Sequence, residues 1–214
     1  SEKVWEASGH LEGFADPLVE CKKCKRRFRA DEFGEKKSKC PECGGALSEP
    51  KQFNMIFKAE NAYLRPEIAQ GMFVNFKNVL DTMRPNLPFG IAQIGKAFRN
   101  EISPRDFLFR VREFDLMEFE YFVKELEWEN NFEKWRKEIW AWIERVGIDK
   151  EAVHELEVSK EDRAHYSKRT VDFEFDYPFG KKELYGLAYR GDYDLSRHME
   201  RSGVDLRYAD QISG

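Results

Sequence analysis

An α+β fold, an antiparallel β-sheet flanked by helices with a small four-cysteine zinc-knuckle insertion, is predicted by three observations. Alternating residue character marks Ile91–Glu101, Val111–Val123 and Val171–Tyr177 as strands. The first two are separated by a hairpin-length loop, which implies antiparallel pairing. Helical periodicity marks the segments on either side of them, and neither G-x-G-x-x-G nor G-x-x-x-x-G-K occurs, which argues against a nucleotide-binding parallel sheet.

In chain order, the first feature is the cysteine cluster. All four cysteines lie in Cys21-Lys-Lys-Cys24 and Cys40-Pro-Glu-Cys43. Each C-x-x-C turn aims two thiolates at one point, so the pair predicts a tetrahedral Zn2+ site formed by Cys21, Cys24, Cys40 and Cys43 within an insertion over 18–49. Four filled positions make it structural rather than catalytic; two disulfides, disfavoured in a reducing compartment, or four idle thiols are the alternatives. Residues 21–40 carry nine Lys or Arg against three Asp or Glu, although the whole chain has a net charge of −4. Such a basic lobe fits either a phosphate backbone or an ordinary solvated face.

Pro50–Phe57 reads as a linker and strand. Leu64-Arg65-Pro66-Glu67 reads as a helix entrance with Pro at the first helical position. Ile68, Met72, Phe76, Val79 or Leu80, and Met83 then form one helical stripe that ends before Pro85. In the first strand Ala97, Arg99 and Glu101 share a face. In the second, Met117, Phe119, Tyr121 and Val123 form an apolar face opposite Arg112, Phe114, Glu118 and Glu120. Trp128, Phe132, Trp135, Ile139, Ile143 and Val146 predict a core-facing helix over 126–146 stopped by Gly147, inside a helical insertion over 124–168. In the third strand Asp172, Glu174 and Asp176 face away from Val171, Phe173 and Phe175.

The composition excludes several classes. With 41% hydrophobic and 36% charged residues the chain is a folded domain with an ionic surface. No apolar run approaches the roughly 18 residues of a spanning helix. The N-terminus lacks an apolar signal core, so a cytoplasmic location is expected. The four His, at 10, 154, 165 and 198, are scattered and predict no Ser-His-Asp or Cys-His nucleophile.

Polar residues placed inside strands carry the chemistry. Phe98-Arg99-Asn100-Glu101-Ile102-Ser103-Pro104-Arg105 leads into Arg110-Val111-Arg112-Glu113-Phe114. A fixed guanidinium forks onto phosphate, a carboxylate accepts from an exocyclic amine and an aromatic ring stacks on a purine, so this hairpin reads as a nucleotide cradle. A cross-strand Arg–Glu ion pair is the purely structural alternative.

These residues resemble the second signature motif of class II aminoacyl-tRNA synthetases, and specifically the homodimeric type of glycyl-tRNA synthetase. Trp5–Asp16 (WEASGHLEGFAD), the knuckle with Phe28-Arg29-Ala30-Asp31, Tyr63–Gly71 (YLRPEIAQG) and Glu183–His198 (ELYGLAYRGDYDLSRH) are similar to that family in the same order. The resemblance implies ATP-dependent activation of glycine to glycyl-adenylate, transfer to tRNA(Gly), Mg2+ bound with ATP, and a homodimer. It assigns Arg99 to the α-phosphate and to catalysis, Glu101 to the adenine amino group and Phe114 to stacking on adenine. Arg110 would meet the outer phosphates and Glu183 the magnesium and phosphates. Glu67 and Glu118 would face the glycine ammonium and Arg190 its carboxylate. Glu183 and Arg190 have opposite strand parity, so both reach one site only if Gly186 bulges or the strand ends first.

The family's first motif is expected just upstream of Ser1. The third motif and an anticodon-binding domain are absent up to Gly214. Residues 1–214 therefore read as a truncated class II catalytic core. A non-catalytic RNA- or partner-binding module is the alternative reading, and a class II synthetase for another amino acid is a third.

Overall fold

The computed structural model describes residues 1–33 and 39–209. Lys36 and Lys37 of the basic stretch, and Gly214 where the chain stops, lie outside the described residues.

In chain order the elements begin with helices α1 (Glu2–Ala7) and α2 (His10–Gly13) and strands β1 (Ala15–Glu20), β2 (Arg27–Arg29), β3 (Lys51–Asn54), β4 (Lys58–Ala59) and β5 (Ala62–Tyr63). Helices α3 (Ala69–Val74) and α4 (Phe76–Met83) precede strands β6 (Phe89–Phe98) and β7 (Glu113–Phe122). Helix α5 (Trp128–Arg145), strands β8 (Val153–Glu157), β9 (Arg169–Tyr177) and β10 (Gly180–Tyr189), and helix α6 (Tyr193–Ser202) complete the described chain. The sheets are antiparallel, with strand orders β2-β1-β3 and β10-β9-β8, and β6 pairs with β7. The architecture is α+β, as the alternation patterns predict. No helix among the described residues is long and apolar enough to cross a membrane.

The chain divides into two compact units. The first comprises Ser1–Met72 and Ala92–Glu118. Here β1 is the central strand, pairing Leu18 with Arg29 on one side and with Lys51 on the other. Leu18, Met55 and Ile102 form a small core with Phe14 and Phe53 packed against it. Trp5, Ile68, Ala69 and Met72 are also buried.

The second unit comprises Phe73–Ile91 and the chain from Phe119 onward. Phe132 and Ile143 of α5 bury against Val153, Val171 and Phe173 of the three-stranded sheet. The β9 alternation holds as predicted: Val171 and Phe173 are buried while Asp176 is exposed. Phe76, Phe89 and Phe122 form an aromatic cluster with centroid separations of 4.7–5.9 Å. At the end of the α5 stripe Val146 is exposed, and Gly147 stops the helix at φ +78°, a left-handed conformation that glycine adopts without steric cost.

Several elements differ from their sequence-based expectation. The helix predicted from Pro66 begins only at Ala69 and breaks at Asn75. Its expected first turn is held out of the helix because the Pro66 carbonyl accepts from Arg99 Nε (3.1 Å) and the Ile68 amide donates to Glu118 Oε2 (2.9 Å). Met83, placed on the buried stripe, is 74% exposed.

The predicted strand Ile91–Glu101 ends at Phe98, so Arg99 and Glu101 follow the strand rather than sharing one of its faces. The turn is local: Glu101 N donates to the Arg99 carbonyl at 2.8 Å, and Asn100 N donates to Met55 O at 2.7 Å. The apolar side of β7 is also the more exposed one, with Met117 at 60% and Phe119 at 43%, whereas Phe114, Leu116, Glu118 and Glu120 are half-buried. Polarity alone misorders this strand because its acids are held by partners. Strand β8 has no counterpart in the sequence pattern; its residues, Val-His-Glu-Leu-Glu, place the two apolar side chains three positions apart, so period two does not register.

Candidate functional site

Two C-x-x-C knuckles bring four sulfurs together. Cys21 and Cys40 are buried, and the four Sγ atoms lie within 4.8 Å of one another, with Cys21–Cys43 at 3.5 Å and Cys24–Cys40 at 3.7 Å. None is bridged. Sulfurs about 2.3 Å from one tetrahedral ion would stand about 3.8 Å apart, so the four thiols are spaced as a metal site requires. Amides of Cys24 and Lys23 pull the Cys21 thiol down to about 6 despite its burial. Cys24 receives a lowering bond from the Arg26 backbone, but burial and the surrounding sulfurs outweigh it and push the thiol up. The Cys21 sulfur is thus the one of this pair held closer to the thiolate form that binds a metal.

The connection between β6 and β7 carries the arginine cluster. Arg99 N donates to Arg112 O (3.0 Å), and Arg105 and Arg110 bridge across the turn. The Arg99 guanidinium lies 5.5 Å from the Phe14 ring and 5.2 Å from Phe114, tied by Nε to Pro66 O. Phe114 therefore already presents a face to a cation. Glu101 is 7% exposed and accepts from Arg110 Nη1 at 3.3 Å, while its carbonyl accepts from Arg112 Nε and Nη2. The cross-hairpin ion pair weighed as the structural alternative is present, formed by Arg110 and Glu101.

Asp16 belongs with this group, and sequence reasoning misses it as a site residue. Burial raises its carboxyl, while Arg29, Arg110 and Arg99 act against that shift.

Glu67 and Glu118 both reach the segment 66–68. Glu67, at 8% exposure, sits 3.2 Å from His10 Nε2, and His10 Nδ1 lies 2.8 Å from Ser8 Oγ. From sequence His10 reads as one of four scattered histidines; in the fold it is a buried partner of a candidate site carboxylate. Glu67 lies outside α3, so compensation of a helix dipole in the first turn does not explain it, and Glu118 does not lie on a solvated face.

In the second unit, Glu183 and Arg190 lie on and just after β10. The register shifts between Glu183 and Tyr185, and the strand ends at Tyr189. The required irregularity exists, centred on Leu184 rather than Gly186. A Cβ on Gly186 would stand 3.1 Å from Glu183 Oε1 and 3.5 Å from Asp172 Oδ1, so glycine there leaves space for two carboxylates. Burial, then the charges of Glu183 and Glu174, push Asp172 up to about 6.

Arg190 is gripped by Asp194 through Nε (2.6 Å) and Nη2 (2.8 Å), and its guanidinium lies 3.6 Å from the Tyr166 ring centroid and 5.2 Å from Phe73. Burial lowers its pKa, but the bonds and charge of Asp194, aided by Glu120, more than offset this and raise it. Sequence reasoning does not single out Asp194; an acid four residues after an arginine is too common a spacing to stand out by itself.

A family model described as tRNA synthetase class II core domain (G, H, P, S and T) matches residues 53–211. The chain is 47% identical to a glycine–tRNA ligase of Treponema denticola over 99% of its length and 50% of that protein. It is 46% identical to one of Geobacillus thermodenitrificans, covering 98% of the chain and 53% of that protein. For one of Caldanaerobacter subterraneus the identity is 43%, over 100% of the chain and 54% of that protein. The chain spans about half the length of the curated relatives it matches. Matched over most of its length by the family model, the chain belongs to the class II tRNA synthetase core-domain family.

Proposed function

We propose that the protein containing this chain is a glycine–tRNA ligase. Residues 1–214 would be part of its catalytic core, 18–49 a zinc-knuckle insertion and 124–168 an insertion built around α5. The observation that carries the reading is Arg99, held by a backbone carbonyl between two aromatic rings and within electrostatic reach of Asp16, as Arg110 also is. A guanidinium whose position is set before substrate arrives stabilises developing phosphoryl charge without reorganisation.

In this reading a glycine carboxylate oxygen bonds to the ATP α-phosphorus and pyrophosphate leaves. The terminal tRNA ribose hydroxyl then attacks the glycyl carbonyl and AMP departs. Arg99 neutralises the α-phosphate, Arg110 approaches the outer phosphates, Phe114 stacks on adenine and Glu101 reads its amino group. Glu67 and Glu118 face the glycine ammonium, and Arg190 orients its carboxylate. Glu183 would hold Mg2+, which would neutralise phosphate charge. No side-chain nucleophile is required, since positioning and charge neutralisation lower the barrier. Zinc in the four-cysteine site, a homodimeric whole protein and a cytoplasmic location belong to the same proposal; four unbridged cysteines accord with a reducing compartment.

Glycine-dependent ATP–pyrophosphate exchange tests it, measured for the chain with and without a polypeptide supplying the remaining half of its relatives. Exchange with glycine, but not with alanine or serine, is expected. Arg99→Ala should lower it by about 10²–10³-fold, as loss of one oxyanion-type donor does. No exchange in either mixture, with tRNA still bound, would replace this reading by the non-catalytic RNA-binding module.

A further inference from the structure

The two cysteine knuckles share one backbone design. Cys21 N donates to Arg26 O at 2.8 Å, and Cys40 N donates to Gly45 O at 2.8 Å. Lys25 N donates to Cys21 O at 3.0 Å, and Gly44 N donates to Cys40 O at 2.9 Å. The residue after the second cysteine is left-handed in both, at φ +61° for Lys25 and +68° for Gly44.

The side chains on these matching frames differ in charge. The second knuckle is built from Pro41, Glu42, Gly44 and Gly45, with no cation; the first carries Lys22, Lys23, Lys25, Arg26 and Arg27, all exposed. The second knuckle acts as an internal control: cationic side chains are not needed for this turn or for aiming its sulfurs.

Lys25 occupies the left-handed position that its counterpart fills with glycine, at a backbone cost of about 1 kcal/mol. Gly45 leaves room for a neighbouring lysine stem, because a Cβ there would stand 2.8 Å from Lys23 Cβ.

The arginines of the lobe are already paired: Arg26 with Glu42 (2.7 Å), Arg27 with Glu20 (3.3 Å) and Arg29 with Asp31 (2.7 Å). Among the described residues Lys22, Lys23 and Lys25 form no ion pair. Three exposed ammonium groups on one metal-type turn therefore form an unneutralised ridge in a chain whose net charge is −4.

We propose that the first knuckle is an RNA-docking surface in which Lys22, Lys23 and Lys25 contact the phosphate backbone. RNA is favoured over an acidic protein because separate flexible ammonium groups recognise repeated point charges without a shaped pocket. The chain's family also acts on RNA. The inference takes only the class of polyanion from the proposed function and needs neither ATP nor glycine.

Binding of the zinc-loaded chain to fluorescently labelled unfractionated tRNA, followed by anisotropy over a series of KCl concentrations, tests this proposal. Each phosphate contact contributes about 0.7–0.9 to the slope of log affinity against log salt. The triple variant Lys22→Glu, Lys23→Glu, Lys25→Glu should flatten that slope by about 2–3 and bind at least about tenfold more weakly near 0.1 M salt. Lys25→Gly should flatten it by about 1 while raising the denaturation midpoint, because the left-handed strain is relieved.

Absence of tRNA binding by the unmutated chain overturns the proposal, as does an unchanged slope in a triple variant that retains its zinc. If the triple variant loses zinc, Lys25→Gly decides: a flatter slope supports the ridge and an unchanged slope overturns it. Lack of glycine-dependent exchange together with salt-sensitive tRNA binding through these lysines would count against the proposed ligase and leave this surface standing.

Discussion

Asp194, 2% exposed at the start of α6, accepts two bonds from the Arg190 guanidinium, from Nε at 2.6 Å and from Nη2 at 2.8 Å. The pair spans the turn from β10 into α6, where Gly191 takes φ +62°. Two of the three guanidinium nitrogens are thus engaged before any substrate arrives, and the Tyr166 ring lies over the remaining plane. Asp194→Asn keeps the shape but removes the buried counter-charge. It should destabilise the chain by up to about 3–5 kcal/mol in denaturant unfolding, as breaking a buried ion pair does. If Arg190 orients the glycine carboxylate as proposed, the variant joined to the remaining half of its relatives should show a KM for glycine raised more than the KM for ATP. Equal changes in the two would mean that Asp194 serves stability alone.

Asp172 sets a pH dependence of unusual sign. Its carboxyl titrates near 3.8 when unperturbed and at about 6 in the fold, raised first by burial and then by Glu183 and Glu174. Between those values the folded chain holds the extra proton, so this contribution to stability is fully present at the acid end, declines as pH rises toward 6 and changes no further above it. For a half-exposed group the effect is about 1 kcal/mol after screening. Asp172→Asn should remove the decline and make the chain more stable than its parent at neutral pH. Urea unfolding at about pH 4 and about pH 7 measures the difference.

The cysteine site predicts coupled loss of metal and local order. Cys24→Ser should abolish stoichiometric zinc in elemental analysis and increase proteolysis within 18–49, because metal-binding energy in such a site is folding energy. Cys24 is the choice of variant because it is the exposed member of the four. An unmutated chain that contains no zinc when purified without chelator would refute the assignment.

Phe173 has no exposed surface and meets the Trp140 ring at 5.7 Å where α5 crosses the sheet. Phe173→Ala should cost about 3–5 kcal/mol in chemical denaturation, combining lost transfer energy with the cavity left behind. Val146→Ala, at the exposed end of the α5 stripe, should cost under about 0.5 kcal/mol, as surface substitutions generally do. Similar losses for the two would contradict the packing described for the second unit.

Much of this organisation is written locally. The four cysteines are close in sequence, and two turns suffice to bring their sulfurs together. The strict alternation of Val171–Tyr177 places Val171 and Phe173 in the core cluster with Phe132 and Ile143 of α5, so the pattern and the burial agree there. The second unit also supplies the register irregularity needed by Glu183 and Arg190, one residue after Glu183, where composition offers no signal for it. Where alternation misleads, in β7, the acids on the inward side have partners distant in sequence: Glu118 accepts from Ile68 N, fifty residues away.

By itself the sequence determined the α+β class, the metal-type knuckles, α5 and the block-by-block likeness that placed Arg99, Glu101 and Arg190 in view, because these depend on short-range periodicity, turn chemistry and residue identity. Only the tertiary structure decided that Pro66 stays out of the helix, that Arg99 leaves its strand, that Arg110 takes Glu101, and that His10 and Asp194 stand behind Glu67 and Arg190. For Pro66 and Glu67 the outcome is a competition for one polar group between near neighbours and a residue remote in sequence, Arg99 for the Pro66 carbonyl and His10 for the Glu67 carboxylate. The remote partner wins where burial makes an unsatisfied polar atom costlier than a broken local pattern.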